Sequence, residues 1–286
     1  MTFDDPRQPH KCAYSLHDTV MSAFACMYFQ DSSLKQFQER LEKKKHQRSN
    51  LQTLFGVHHI PKDAQMRNIL DELDSESFSA IFADYYERLR RHKHLESYQV
   101  LPDMVLCVMD STQYHSSGSI HCAGCLHKSH QEGEVTYQHA VSQGAIMHPE
   151  KRQVLPVMPE AIHNHDGETK QDCETNAAKR FVRHLKQAHP QQVFLLGGDS
   201  LMSRQPLIEE ALGQGMHILF TAKCSDHVYM YEWLDAFKAL PSRESIDKTG
   251  KTHRFRLSTS GSFFIRITGC FTKHLPWNRW PFSLLG

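Results

Sequence analysis

The sequence predicts a mixed α/β sheet with flanking helices, preceded by an all-helical segment. Three observations carry this. Apolar residues in the first hundred positions recur at helical spacing. From Pro102 onward, continuous apolar runs of strand length appear. Beyond about residue 170 such runs alternate with helical patterns, as they do in α/β sheets.

In the helical half, Leu16, Val20, Ala23, Phe24 and Met27 mark a first helix with Ser15 as its cap. A second starts at Asp31 or Ser32 and carries Leu34, Phe37 and Leu41. A third opens at Pro61, where a missing amide costs nothing, with Met66, Ile69, Leu70 and Leu73 as its stripe. A fourth holds Phe78, Ile81, Phe82, Tyr85 and Leu89. In the second half, residues 104–109 read as a strand buried on both faces, stopping at Asp110. Segments 119–126 and 134–146 read as further strands, with another at 154–158. A helix with Ala177, Phe181, Val182 and Leu185 inward precedes a buried strand at 192–196, which stops at Gly197-Gly198-Asp199. A helix opened near Pro206, a strand at 217–222 and a helix at 228–239 follow. The expected organisation is a helical domain over 1–100, an α/β core over 101–245 and an irregular tail over 246–286. No acidic residue occurs after Asp247, and the tail resembles an out-of-frame end.

The bulk properties narrow the function. A net charge of +1 confines any nucleic-acid contact to local patches. Eight cysteines in 286 residues are too few for a disulfide scaffold. No apolar run reaches the ~18–20 residues of a membrane span, and the acidic N-terminus is unlike a signal peptide. An intracellular protein with reduced thiols is expected.

Asp110 and Asp199 each close a buried-strand pattern. If the two strands are neighbours, their carboxylates converge, as phosphodiester chemistry with divalent cations requires. The alternative is that both simply end strands. The surrounding residues favour the first reading. Val108-Met109-Asp110-Ser111-Thr112, Ile120-His121-Cys122-Ala123-Gly124-Cys125-Leu126 and Tyr137-Gln138-His139 resemble bacterial insertion-sequence transposases of the DDE type, in the insertion-sequence-four-like group. So do the run from Asp166 to Glu174, Asn176 to Arg180, Gly198 to Ser203 and, in the helical half, Asn50 to Gly56 and Ile60 to Arg67. The resemblance implies a ribonuclease-H-like core and catalytic, Mg²⁺- or Mn²⁺-holding roles for Asp110 and Asp199. It also implies DNA partners, the terminal repeats of a mobile element, with homodimerisation, no small-molecule cofactor, no membrane and a cytoplasmic, nucleoid-associated setting. The family's third carboxylate lies in a Tyr-x-x-Arg-x-x-x-Glu pattern beyond the second Asp. No such spacing follows Asp199, and Glu232 lacks the basic neighbours. A truncated or frameshifted chain, inactive alone, is therefore expected. The alternative is a non-catalytic DNA-binding protein competing with intact transposase.

Cys122 and Cys125 have the spacing of half a zinc knuckle. Cys173 and His139 are the candidates to complete a zinc site, and both thiols reach one ion only if the chain turns at Gly124. Paired core thiols are the alternative. Lys43, Lys44, Lys45 and Arg48, with Arg67, Arg90 and Arg91, are candidates for DNA phosphates, against the plainer reading of solvated helix ends. Gly198-Asp199-Ser200-Leu201 also spells a serine-esterase block, which would need a histidine base at Ser200.

Overall fold

The computed structural model describes residues 5, 7–8, 10, 12–43, 45–131, 133–164, 172–236, 242–246, 250, 252–258 and 265–268. For 42–43, 45–49, 233–235, 242–243, 245 and the strands beyond 250, that description covers the backbone alone. The chain divides into two compact units, Met1–Asp84 and Tyr85–Gly286. The division falls ahead of residue 100 because Tyr86, Leu95 and Tyr98 belong to the core of the second unit.

The first unit is helical: α1 (Leu16–Tyr28), α2 (Leu34–Lys43), α3 (Lys45–Phe55), α4 (Asp63–Asp71) and a 3-10 turn at Ser75–Phe78. Ser15 caps α1, accepting from the Asp18 amide. Asp18 is itself buried and its Oδ1 accepts from the His58 amide at 2.8 Å. Helix α3 is one the periodicity did not reveal. Gly56, at φ +64°, ends α3 in the left-handed conformation that favours glycine. Ala25, Cys26, Phe37, Leu41, Leu51, Phe55 and Val57 form the unit's core.

The second unit takes up α5 (Ser79–Arg91) from Tyr85, then a 3-10 turn at His94–Tyr98. It is a mixed α/β structure around an eight-stranded, mostly antiparallel sheet. The strands are β1 (Gln99–Leu101), β2 (Met104–Ser117), β3 (Leu126–Ser129), β4 (Val135–Met147), β5 (Leu155–Pro156), β6 (Glu160–Ile162), β7 (Val193–Gly198) and β8 (His217–Phe220). The main path is β3-β4-β2-β7-β8, with β1 on β2 and both β5 and β6 on β4. Helix α6 (Glu174–Ala188) connects β6 to β7, and α7 (Gln205–Gly213) joins β7 to β8, which runs parallel to it. Such parallel neighbours need a crossover of this kind. Helix α8 (Val228–Ala236) follows. No described helix is long and apolar enough to cross a membrane.

Two expectations change. Residues 119–126 are not a strand; the chain turns there, and the edge strand begins at Leu126. The tail, expected to be irregular, contains β10 (Thr252–Ser258) and β11 (Ile265–Thr268), which form an antiparallel sheet with β9 (Ser242–Ile246). In β10 the order Thr-His-Arg-Phe-Arg-Leu-Ser sets Phe255 and Leu257 two apart between polar residues, a strand period that a search for helical or continuous apolar patterns passes over.

The core of the second unit lies between α6 and the sheet. Phe181, 2% exposed, packs on Gly144 of β4. A Cβ at 144 would lie 2.2 Å from Phe181 Cζ. Gly144→Ala is therefore expected to destabilise the fold by about 1–3 kcal/mol through overpacking. Denaturant unfolding measures it, and adding Phe181→Leu should recover part of the loss; a neutral Gly144→Ala would contradict this packing.

His189 stacks on Tyr86 with ring centroids 3.8 Å apart. Burial pushes its pKa down to about 4, only partly opposed by Glu87. A lowered folded pKa means that the unfolded chain takes the proton first. Stability is thus complete above pH 6.5 and falls as the pH drops towards 4. The expected loss is about 1–2 kcal/mol after allowing for solvent at this half-buried ring. His189→Asn should flatten that slope in unfolding measured across pH; an unchanged slope would sink the assignment.

Candidate functional site

β2 and β7 run side by side and parallel, from Met104 opposite Val193 to Val108 opposite Gly197. The pairing ends two residues short of both Asp110 and Asp199, so the two acids lie just beyond the same end of it, where neighbouring strands are about 4.8 Å apart. Val105, Cys107 and Met109 enter the core, so Leu106, Val108 and Asp110 line the opposite face. A Cβ at Gly197 would meet both Leu106 and Val108 at 3.2 Å. The missing side chain keeps this face flat beside the two acids.

The buried stretch of β2 ends at Asp110, but the strand itself does not. It continues to Ser117, paired with β4 through Asp110 opposite Gln143 and onwards. Asp110 is thus an exposed mid-strand residue rather than a strand end. It is open because β7 stops at Gly198, leaving β2 without a neighbour on that side. After β7 the chain turns about Asp199, whose Oδ1 accepts from the Leu201 amide at 2.9 Å. Asp110 Oδ1 accepts from the Ser111 amide at 2.8 Å. Among the described residues, the second oxygen of each carboxylate has no hydrogen bond.

A third acid joins them. Glu174 occupies the first turn of α6. Burial raises its pKa, and the charges of Asp110 and Asp199 raise it further. The helix is fixed by Arg180, which donates to Glu160 and Asp172, each at 2.6 Å. Glu174 was missed as a site residue because it precedes Asp199 in the chain, whereas the expected third acid follows it. Its signal was an acid directly after a helix cap. A cavity of about 220 Å³ adjoins it, lined by Cys173, Glu174, Thr175, Leu201, Met202 and Arg204. Arg204 has no ion pair among the described residues.

Such a site can hold a hard divalent cation. Carboxylate oxygens with water and phosphate suit Mg²⁺ or Mn²⁺, and converging negative charge is the repulsion a cation relieves. The donor set fits.

The sulfur and imidazole candidates lie apart from these acids in sequence. Cys122, Cys125 and His139 come together, with their ligand atoms all within 4.8 Å of one another. Cys173 does not join them. It caps α6 and lines the cavity beside Glu174, so the proposed four-ligand set is corrected to three.

Of the basic candidates, Lys44 and the side chains of Lys43, Lys45 and Arg48 lie outside the described residues. Arg67 is exposed, 4.0 Å from Asp63. Arg90 and Arg91 share Glu87 at 2.8 and 3.5 Å. Ser200 Oγ is buried without a partner among the described residues, and His227 instead bonds Ser203 at 2.6 Å. The esterase reading therefore has no base at Ser200.

Residues 2–86 match a protein-family model described as DDE_Tnp_1-associated. The match points to the DDE transposases. It coincides with the helical unit, so the link to this family rests on the part of the chain that lacks the acids. No curated protein matches the chain.

Removing one of three repelling acids should stabilise the empty protein. Above its raised pKa, Glu174 is ionised at a cost to the fold; well below the ordinary carboxylate range that cost is absent. Glu174→Gln is expected to raise Tm at pH 7 without added cation and to shrink the gain in Tm produced by Mn²⁺. Thermal melts with and without Mn²⁺ test this; a lower Tm together with an undiminished Mn²⁺ response would refute it.

Proposed function

We propose that this is an insertion-sequence transposase of the bacterial insertion-sequence-four-like group, whose ribonuclease-H-like second unit binds Mg²⁺ or Mn²⁺ against element-end DNA. The observation that carries the reading is the parallel pairing of β2 with β7, beyond whose end both Asp110 and Asp199 lie within two residues. The family match over the helical unit supports it independently.

In this reading Asp110 and Asp199 hold the cation through the oxygens their backbone amides leave open, and Glu174 faces it from α6. The bound cation supplies Lewis-acid polarisation at the scissile phosphodiester. Arg204, at the cavity rim, holds a non-bridging phosphate oxygen with its planar fork. The sheet keeps Asp110 in place: it is anchored through β4 on one side while its other side stays open to the nucleic acid. The basic candidates of the helical unit add salt-dependent, sequence-independent affinity.

Among the residues described, Glu174 is the acid on which the charges of Asp110 and Asp199 act, and in this reading it is the third carboxylate to face the cation.

Mn²⁺ binding followed by calorimetry, alongside nicking of terminal-repeat DNA, tests both claims. Asp110→Asn and Asp199→Asn should each weaken Mn²⁺ binding at least tenfold. Arg204→Ala should leave Mn²⁺ affinity unchanged and weaken DNA binding, with a salt slope smaller by about one. Unaltered Mn²⁺ affinity in the Asp110→Asn, Asp199→Asn double variant would end the nuclease reading. Nicking that disappears in Asp110→Asn is the expected outcome, and nicking that persists in it would also end the reading.

A further inference from the structure

Beyond Asp110 the β2–β4 pair has little to hold it. Residues 110–117 of β2 are exposed or half-buried throughout, and residues 135–141 of β4 are no better covered. A ribbon without an apolar face is marginal in water. Yet one residue at this end, Cys125, is fully buried while belonging to neither hydrophobic cluster.

Its surroundings explain why. The chain leaves β2 after Ser117 and turns, with the Cys125 amide bonded to Cys122 O at 3.2 Å. This turn brings the two sulfurs to 3.8 Å from each other. His139 of β4 points its Nε2 at both, 3.2 Å from Cys122 Sγ and 3.3 Å from Cys125 Sγ. A tetrahedral Zn²⁺ with bonds of about 2.3 Å to sulfur and about 2.0–2.1 Å to nitrogen separates two thiolates by about 3.8 Å and a thiolate from an imidazole by about 3.5 Å. The sulfur pair matches, and the imidazole needs to retreat by only a few tenths of an ångström.

The outer contacts are also those of a metal knuckle. The Cys122 amide donates to Cys125 Sγ at 3.3 Å, which stabilises a thiolate. Tyr114 stacks over His139, with centroids 5.9 Å apart at 20°. His115, opposite His139 in the β2–β4 register, is held next to it by a bulge in β2 between Gln113 and His115. The Asn164 amide reaches in to Gly124 O at 3.2 Å, so the segment after β6 meets the knuckle as well.

We infer that Cys122, Cys125 and His139 bind one Zn²⁺, which staples the far end of the β2–β4 ribbon to the turn before β3 and to the segment around Asn164. The fourth position falls to water or to that segment. Two thiolates and an imidazole select a borderline-soft ion over Mg²⁺, so this centre is chemically separate from the acidic one. It stands or falls independently of the nuclease reading.

The test uses the full chain purified under reducing conditions without added chelator. Elemental analysis should give about one zinc per chain. Co²⁺ exchanged into the site should show the visible bands of a tetrahedral ion with thiolate charge transfer. Cys122→Ser and His139→Ala should lose the zinc and those bands, whereas Cys12→Ser should keep both. Hydrogen exchange on the folded wild type should show that chelation speeds exchange of amides in 111–117 and 135–141 while the α6-covered core stays protected. Substoichiometric zinc with no thiolate bands in wild type, or a Cys122–Cys125 disulfide in its place, would overturn the proposal, and neither outcome depends on any variant folding.

Discussion

The parallel pairing of β2 with β7 is the constraint on which the rest of the second unit depends. It commits five successive residue pairs, Met104 with Val193 through Val108 with Gly197. A one-residue slip would turn every side chain to the other face. Val105 and Cys107 of β2 and Phe194 and Leu196 of β7 all belong to the buried cluster beneath α6, so a slip of either strand would turn its core residues outward. The register that ends just before Asp110 and Asp199 is thus fixed by apolar burial, and the acids need contribute nothing to it. A site whose charges repel in the empty protein requires that kind of support, because ionic groups brought together without a counterion oppose folding.

The same logic explains the motif that opens α6. Asp172 and Arg180 are eight residues apart, about two helical turns, and the arginine bonds Glu160 of β6 as well. The side chain of Asp172 is 2% exposed, so its charge is compensated where solvent cannot reach. This ion network fastens the start of α6 to the sheet at the place where Glu174 leaves the helix. The residues around Glu174 are held by ion pairs, whereas Glu174 itself has none among the described residues. Gly144 belongs to the same arrangement, since only a residue without a side chain lets Phe181 close on β4.

Much of this was legible in the sequence, and the gaps have physical causes. Helices with one apolar stripe, such as α1 and α6, could be read from their period. The buried halves of β2 and β7 could be read as uninterrupted apolar runs. The exposed half of β2 could not, because Ser, Thr, Gln and His there pair through the backbone alone and leave no apolar signature. Helix α3 was hidden by its basic start, and β10 by its alternation of apolar and polar residues. Asp110 and Asp199 stood out because each follows an abrupt end to burial. Glu174 did not, since nothing local distinguishes a site acid in a first helical turn from one that merely suits the helix dipole. Cys122 and Cys125 were legible as a pair. His139 was named with Cys173 as a candidate partner, but that it is His139 and not Cys173 that meets them depends on a strand register, which no spacing within the chain encodes.

The two centres solve opposite problems within one ribbon. Near its base, β2 has a covered core, and the fold can tolerate the repulsion of unpaired acids there. Towards its tip β2 has no core, and the ribbon needs an added bond to keep its shape. The boundary lies where β7 ends, at Gly198: up to that point the sheet is paired on both sides, and beyond it β2 depends on β4 alone. Had β7 continued alongside β2 to Ser117, Asp110 would be closed in by a neighbouring strand and the ribbon would need no staple. One early strand end therefore both opens the acidic site and leaves the ribbon to be held by Cys122, Cys125 and His139.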